Sequence, residues 1–426
     1  MKRLLFIGIV LAMSAPAFAQ KANVKKVKSK VDFASTPMNY DFSNVEADKV
    51  QELRELIEPA LTDPESKDMA DTWKYAARLK VYDMNQLLAQ YQANGNQFPD
   101  PNAFFQNQYD VVKYYETYYQ LMNTPNEKGK LPYKEDEMKA ETEKAKIAAK
   151  GARVNLLIGA TNLVYTNPTE AVKLLDLYYE SIDNPLFEGM NLRAEDPNLP
   201  LGYYTYAVAL KATNGDEATY LDYLQKSLDT DNGPLAAQDL LNYYKEKGDK
   251  ENEKKVTAMA FEKFPNQIVF AVSLIQDEIQ ARNYDKAVEL CNTTIARIDD
   301  GTIAKVDNNG NAVESIKWPY YFKAAALYNT EKYEPAYEAF LQLYEMVNDP
   351  EYLSNAANCC TRIAYDTDKA DVRASWYKKA IEYYETCESL VPDRPELWGV
   401  PLYTCYNNTG NTAKANAYKK YMDSNK

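Results

Sequence analysis

The chain of 426 residues contains no histidine. Without an imidazole there can be no Ser-His-Asp or Cys-His nucleophile system and no HExxH metalloprotease site, and the usual zinc and non-haem iron sites lose their commonest ligand. Glycine is scarce, at 14 residues, against a usual share of roughly 7%. None of the patterns G-x-x-x-x-G-K-[ST], G-x-G-x-x-G or G-x-S-x-G occurs, so phosphate-cradling loops and the hydrolase elbow lack support. The same scarcity argues against a turn-dense β protein and suits long helices. No apolar run is long enough to serve as a permanent membrane span. Basic residues are outnumbered, 49 Lys and Arg against 62 Asp and Glu, for a net charge of −13. That field repels a phosphate backbone, so no nucleic-acid partner is expected. No cofactor, metal ion or catalytic residue is expected either. Carboxylate pairs remain able in principle to hydrolyse a glycosidic bond, but helix surfaces account for nearly all of them.

What is present begins at the N-terminus. Lys2 and Arg3, an apolar run from Leu4 to Met13 and Ala17-Phe18-Ala19 before Gln20 have the layout of a secretory signal peptide over residues 1–19. No cysteine near the cut could take a lipid, so the expectation is a periplasmic or secreted protein that is not an integral membrane protein, with peripheral association at the envelope. Lys21, Lys25, Lys26, Lys28 and Lys30 follow, and residues 20–45 read as a flexible, solvated basic leader.

Periodicity then takes over. From Pro234, the residues Leu235, Leu240, Leu241, Tyr243 and Tyr244 recur at helical spacing, Lys247-Gly248-Asp249 breaks the pattern, and a second helix runs to Lys263 before Phe264-Pro265-Asn266. A second hairpin begins at Ile268 and turns at Arg282-Asn283-Tyr284-Asp285. In the second helix of successive units, core positions run Ala171, Leu175, Tyr178; then Tyr220, Leu224, Ser227; then Glu253, Thr257, Ala260. They continue Ala287, Cys291, Thr294; then Ala336, Phe340, Leu343; and finally Ala380, Tyr384, Cys387.

This series, with a period of about 34 residues, resembles the tetratricopeptide repeat (TPR). Asn283-Tyr284-Asp285-Lys286-Ala287 and Lys332-Tyr333-Glu334-Pro335-Ala336 are similar to that family's entry into its second helix, and Ile158-Gly159 sets a large and a tiny residue where its helices pack closely. Tyr220 and Glu253 depart from it, standing where the family has a small residue. The resemblance implies an all-α fold, an α-α superhelical solenoid of TPR-like hairpins over residues 151–426. Residues 46–150 read as degenerate repeats or a helical cap, with helices at Asp48 to Leu61, Asp71 to Gln92 and Asn102 to Met122, and one long helix from Glu135 to Val164.

Three insertions lengthen the array, near 184–199, 302–316 and 365–372. The second holds β-branched runs on either side of Asp307-Asn308-Asn309-Gly310-Asn311, and Asn-Gly is a strong hairpin-turn signal, so a small β-hairpin is predicted there. The cysteines Cys359, Cys360, Cys387 and Cys405 fall on neighbouring helices; packing is the preferred reading over a bridge such as Cys387 to Cys405. Tyrosine is abundant, 36 residues, often in adjacent pairs of which one ring fills the core and the other reaches an edge.

The resemblance also implies binding on the face built by the first helix of each hairpin, where a protein or an extended peptide would lie. Gln238, Asn242, Lys245, Gln276, Trp318, Tyr321 and Tyr328 are placed on that face. The function expected is therefore a non-catalytic exported scaffold or adaptor binding a protein or peptide partner in the cell envelope. A glycan bound through exposed tyrosine and tryptophan is the alternative, and a carboxylate-based hydrolase is the remote one.

Overall fold

The computed structural model describes residues 20–30, 47–95, 97–307 and 309–423. The signal-peptide assignment for residues 1–19 lies outside the described residues. The described chain is helical throughout, without a β-strand, and divides into two compact units, Met1–Gly233 and Pro234–Lys426.

The first unit starts with α1 (20–30), α2 (Ala47–Ile57), α3 (Ala70–Ala93), α4 (Pro101–Met122) and α5 (Glu135–Leu163). It goes on through α6 (Pro168–Glu180), the single turn α7 (Leu192–Glu195), α8 (Leu199–Thr213) and α9 (Glu217–Ser227). Consecutive helices pack in sequence, α3 on α4, α4 on α5, α5 on α6, α6 on α8 and α8 on α9. The starts are encoded locally. Asp100, Asn167 and Asp216 each accept a backbone N–H from the first turn of the helix they precede, and Pro101 and Pro168 occupy a position whose N–H would have no partner anyway.

Residues 20–30, expected to be a solvated leader, are instead packed. Their lysines dominate the composition, yet Val24 and Val27 lie three apart on one face and are wholly buried against Val50, Leu53 and Ile57. Lys28 pairs with Asp71 at 3.1 Å and Lys30 with Glu52 at 2.6 Å.

Gly159 sits where α5 meets both α4 and α6. A Cβ there would fall 2.6 Å from Phe105 Cδ1 and 2.9 Å from Leu174 Cδ1, so the tiny residue is what lets these helices approach. The connection over residues 184–199 is irregular, as expected. Leu186, Phe187 and Leu192 are buried in it, and Arg153 of α5 holds it through Asp196.

The second unit comprises α10 (Gly233–Lys247), α11 (Lys250–Lys263), α12 (Ile268–Gln280), α13 (Tyr284–Asp299), α14 (Lys317–Asn329) and α15 (Tyr333–Val347). It closes with α16 (Pro350–Asp366), α17 (Ala370–Leu390), α18 (Gly399–Asn408), α19 (Thr412–Tyr418) and the short α20 (Lys420–Asp423). From α11 to α19 each helix packs on the next. Leu353, Ala357, Cys360 and Ala364 of α16 meet Tyr377, Ala380, Tyr384 and Cys387 of α17 and Leu402 and Cys405 of α18 in one apolar cluster.

Two insertions differ from expectation. Among the described residues the stretch 302–316 has no β-hairpin, only a single antiparallel bridge between Val306 and Ala312. Asp307 there folds its carboxylate back to accept the N–H groups of Asn309 and Asn311 at 2.8 and 2.9 Å. An isolated two-stranded ladder is marginal in water, and Ile303 and Ile316 are drawn instead into the helical core with Ile298 and Tyr320. The excess near 365–372 goes mostly into helix, since α16 continues to Asp366 and α17 begins at Ala370 and runs for 21 residues.

Candidate functional site

The residues expected on the ligand face fall in separate places on the second unit. On α10, Gln238 donates to Asn242 across one helical turn at 3.2 Å, and Lys245 is exposed beyond them. Gln276 is exposed on α12. On α14, Trp318 is 36% exposed, stacks on Phe322 at 5.8 Å and meets Tyr321 edge-on at 5.9 Å. Tyr321 itself is half-buried against three core clusters, so its ring serves packing. Tyr328, two turns further along α14, is set apart from this group.

Tyr328 leads to a feature the sequence reading did not include. Its phenol oxygen accepts from Asn358 Nδ2 at 3.2 Å and from Arg362 Nε at 3.3 Å, both on α16. Those two residues line a groove of 570 Å³ between α16 and α18, whose walls also carry Glu351, Asn355, Thr404 and Asn408. Tyr384 forms its floor, and burial pushes that phenol far above its ordinary range, so it stays neutral. Asn408 donates to Tyr377 Oη at 2.9 Å and Ser354 to the Leu397 carbonyl at 2.7 Å, which fix the walls. Tyr365, at the α16 C-terminal end of the groove, is 75% exposed.

Sequence held a signal for this groove. Glu351, Asn355, Asn358 and Arg362 follow at spacings of four, three and four, a polar stripe on the helix whose opposite face is Leu353, Ala357, Cys360 and Ala364. What it could not give was the partner wall on α18, more than forty residues away.

The Tyr328 hydrogen bond raises the Arg362 pKa further above its ordinary value, which keeps the guanidinium charged. Neither Glu351 nor any other groove carboxylate is buried among apolar atoms, the setting that tunes a general acid. All five cysteines are free and buried; desolvation pushes Cys360 up to about 12 and Cys405 up to about 11, so neither offers a thiolate. Among the described residues no group of acidic and thiol side chains could hold a metal ion, and no helix is long and apolar enough to cross a membrane.

No protein-family model matches the chain, and no curated protein matches it. Solved structures to which it is similar are helical repeat proteins. One is the C-terminal part of a TPR repeat-containing protein from Cytophaga hutchinsonii, with a TM-score of 0.37 and 15% identity over 62% of this chain and 93% of that one. A second belongs to the structure of Naa15/Naa10 bound to HypK-THB, with a TM-score of 0.27 and 15% identity over 100% of this chain and 64% of that one. A circular tandem repeat protein gives a TM-score of 0.23 and 11% identity over 96% of each chain. Likeness this distant says nothing of what the chain binds.

Proposed function

We propose that this protein is an exported, non-catalytic TPR-type scaffold that binds a segment of a protein partner in the groove between α16 and α18. The observation that carries the reading is the arrangement at Tyr328, whose phenol fixes Asn358 and Arg362 beside an open groove of 570 Å³. Polar side chains held in place before a ligand arrives cost less entropy on binding than mobile ones. A groove walled by two helices suits an extended chain better than a compact metabolite.

The export part of the reading stands on Lys2, Arg3 and Ala17-Phe18-Ala19, and the site of action proposed is the periplasm or the cell exterior. Mass measurement of the protein recovered from the envelope fraction should give a chain beginning at Gln20; a chain retaining residues 1–19 in that fraction overturns export by cleavage.

Binding is tested by passing envelope extract over the immobilised protein and over an Asn355→Ala, Arg362→Ala variant, with retained proteins identified by mass spectrometry. The expected result is a partner held by the wild type and lost by the variant. Equal retention by both would place the binding surface elsewhere. Saturable glycan binding lost on changing Trp318 and Tyr321 would favour the glycan reading instead.

A further inference from the structure

The groove is unevenly charged along its length, and this deepens the reading of it as a peptide site, on which the inference rests. At one end Glu351 and Glu396, from different elements, share the single guanidinium of Arg394 at 3.4 and 3.0 Å. One negative charge is left in excess at that mouth. At the other end Arg362 spends its Nε on the phenol of Tyr328. Among the described residues Arg362 forms no ion pair; Asp366, one turn further along α16, acts on it only through the field. The edge of the guanidinium bearing the two Nη groups is therefore available, in an orientation the phenol sets. Between the two ends Asn355 is half-buried and has no hydrogen-bond partner among the described residues, so its amide can both donate and accept.

Glu351 and Arg362 are eleven residues apart on one helix, which at a rise of about 1.5 Å per residue is about 16 Å. An extended peptide advancing about 3.3 Å per residue covers that span in about five residues.

We propose that the groove selects an extended peptide segment of mixed charge, with a basic and an acidic side chain about five residues apart. The acidic side chain lies on the Nη edge of Arg362 as a two-point carboxylate contact, the basic one lies at Glu351 and Glu396, and the Asn355 amide pairs with the peptide backbone between them. A wholly acidic segment meets both the excess charge at the Glu351 end and a protein of net charge −13. A wholly basic one meets Arg362. Selection thus comes from a mismatch at one end as much as from a match at the other.

The test is selection of random octapeptides on the full-length wild type, on Arg362→Gln and on a Glu351→Gln, Glu396→Gln double variant, each checked for an unchanged helical circular dichroism spectrum. Wild type should enrich peptides carrying opposite charges about five residues apart. Arg362→Gln should lose the preference for the acidic residue alone and the double variant the preference for the basic residue alone, each binding a wild-type-selected peptide about five- to tenfold more weakly. Enriched peptides without paired charges, or the same peptides on all three proteins, would overturn this inference and leave the peptide groove standing. No enrichment at all, or binding of neutral oligosaccharides that Asn355→Ala abolishes, would overturn the peptide reading itself.

Discussion

Arg153 lies with its guanidinium 3.9 Å from the centre of the Tyr178 ring, and both are fully buried. Every edge of that guanidinium is used: Nε donates to Ser181 Oγ at 2.8 Å, one Nη to the Tyr178 carbonyl at 3.1 Å and the other to Asp196. The cation thus ties α5 and α6 to the irregular connection that follows them. Replacing it leaves the Asp196 carboxylate without its cation, with only Tyr178 Oη and the Asn198 N–H still donating to it, and loss of one partner of a buried ion pair costs about 3–5 kcal/mol. Arg153→Met should lower the stability measured by urea unfolding by that order, and adding Asp196→Asn should recover part of it. Additive losses would show that the pair is not coupled.

A second buried charge cluster makes the first unit sensitive to acid. Glu141 of α5 faces Lys74 at 3.4 Å and Arg78 at 3.3 Å on α3, all nearly inaccessible. Burial pushes its carboxyl up, but Arg78, Lys74 and Lys144 outweigh that and hold it below its ordinary value of 4.5. A depressed pKa stabilises the fold fully above the unfolded value, and that stabilisation is lost as pH falls through the folded one. Glu141→Gln should cost about 3–5 kcal/mol at neutral pH by removing the buried anion that Lys74 and Arg78 share. It should also flatten the loss of stability between pH 5 and pH 3, measured by thermal melting; an unchanged acid slope would sink the assignment.

The thiols should be silent in the folded protein. Desolvation pushes Cys291, Cys359 and Cys360 up to about 12 and Cys387 and Cys405 up to about 11, so at pH 8 about one thiol in a thousand or fewer is ionised. Titration with a thiol reagent should find essentially none before denaturant is added and five afterwards. Rapid labelling of any one in the native state would contradict this packing.

Two hairpin turns carry strain that can be relieved. Arg282 and Glu331 both adopt φ 60 at the ends of α12 and α14, a left-handed conformation in which a Cβ crowds the carbonyl. Arg282→Gly and Glu331→Gly should each stabilise by about 0.5–1 kcal/mol, the strain relieved exceeding the added entropy of the unfolded chain. A drop in melting temperature for both would show that these side chains make compensating contacts.

Much of the helical plan is legible in the residues. The span read from Glu135 to Val164 is a helix at Glu135–Leu163, and the three helices before it fall within two residues of their observed starts, apart from the last turn of the first, which is a tighter 3-10 turn. Apolar periodicity over two or more turns and Asp, Asn and Pro at helix starts account for that success. What failed was governed by tertiary packing. The lysines of α1 concealed the two valines that dock it, and Asn309-Gly310 makes a turn whether or not a ladder forms behind it. The groove eluded the sequence because its second wall lies on another hairpin. Of the seven residues expected on the ligand face, Tyr328 is the one whose polar atom reaches the groove walls, and it does so by holding Arg362.

That hold has a consequence for how such an array can change what it binds. The guanidinium is carried by α16, yet its aim is set from α14, one hairpin earlier. A small rotation between these two hairpins would swing the fork without altering any groove residue. In the groove as proposed, selectivity would be stored in the stacking angle of neighbouring repeats, and mutations at the α14–α15 or α15–α16 contacts would retune it from outside the groove.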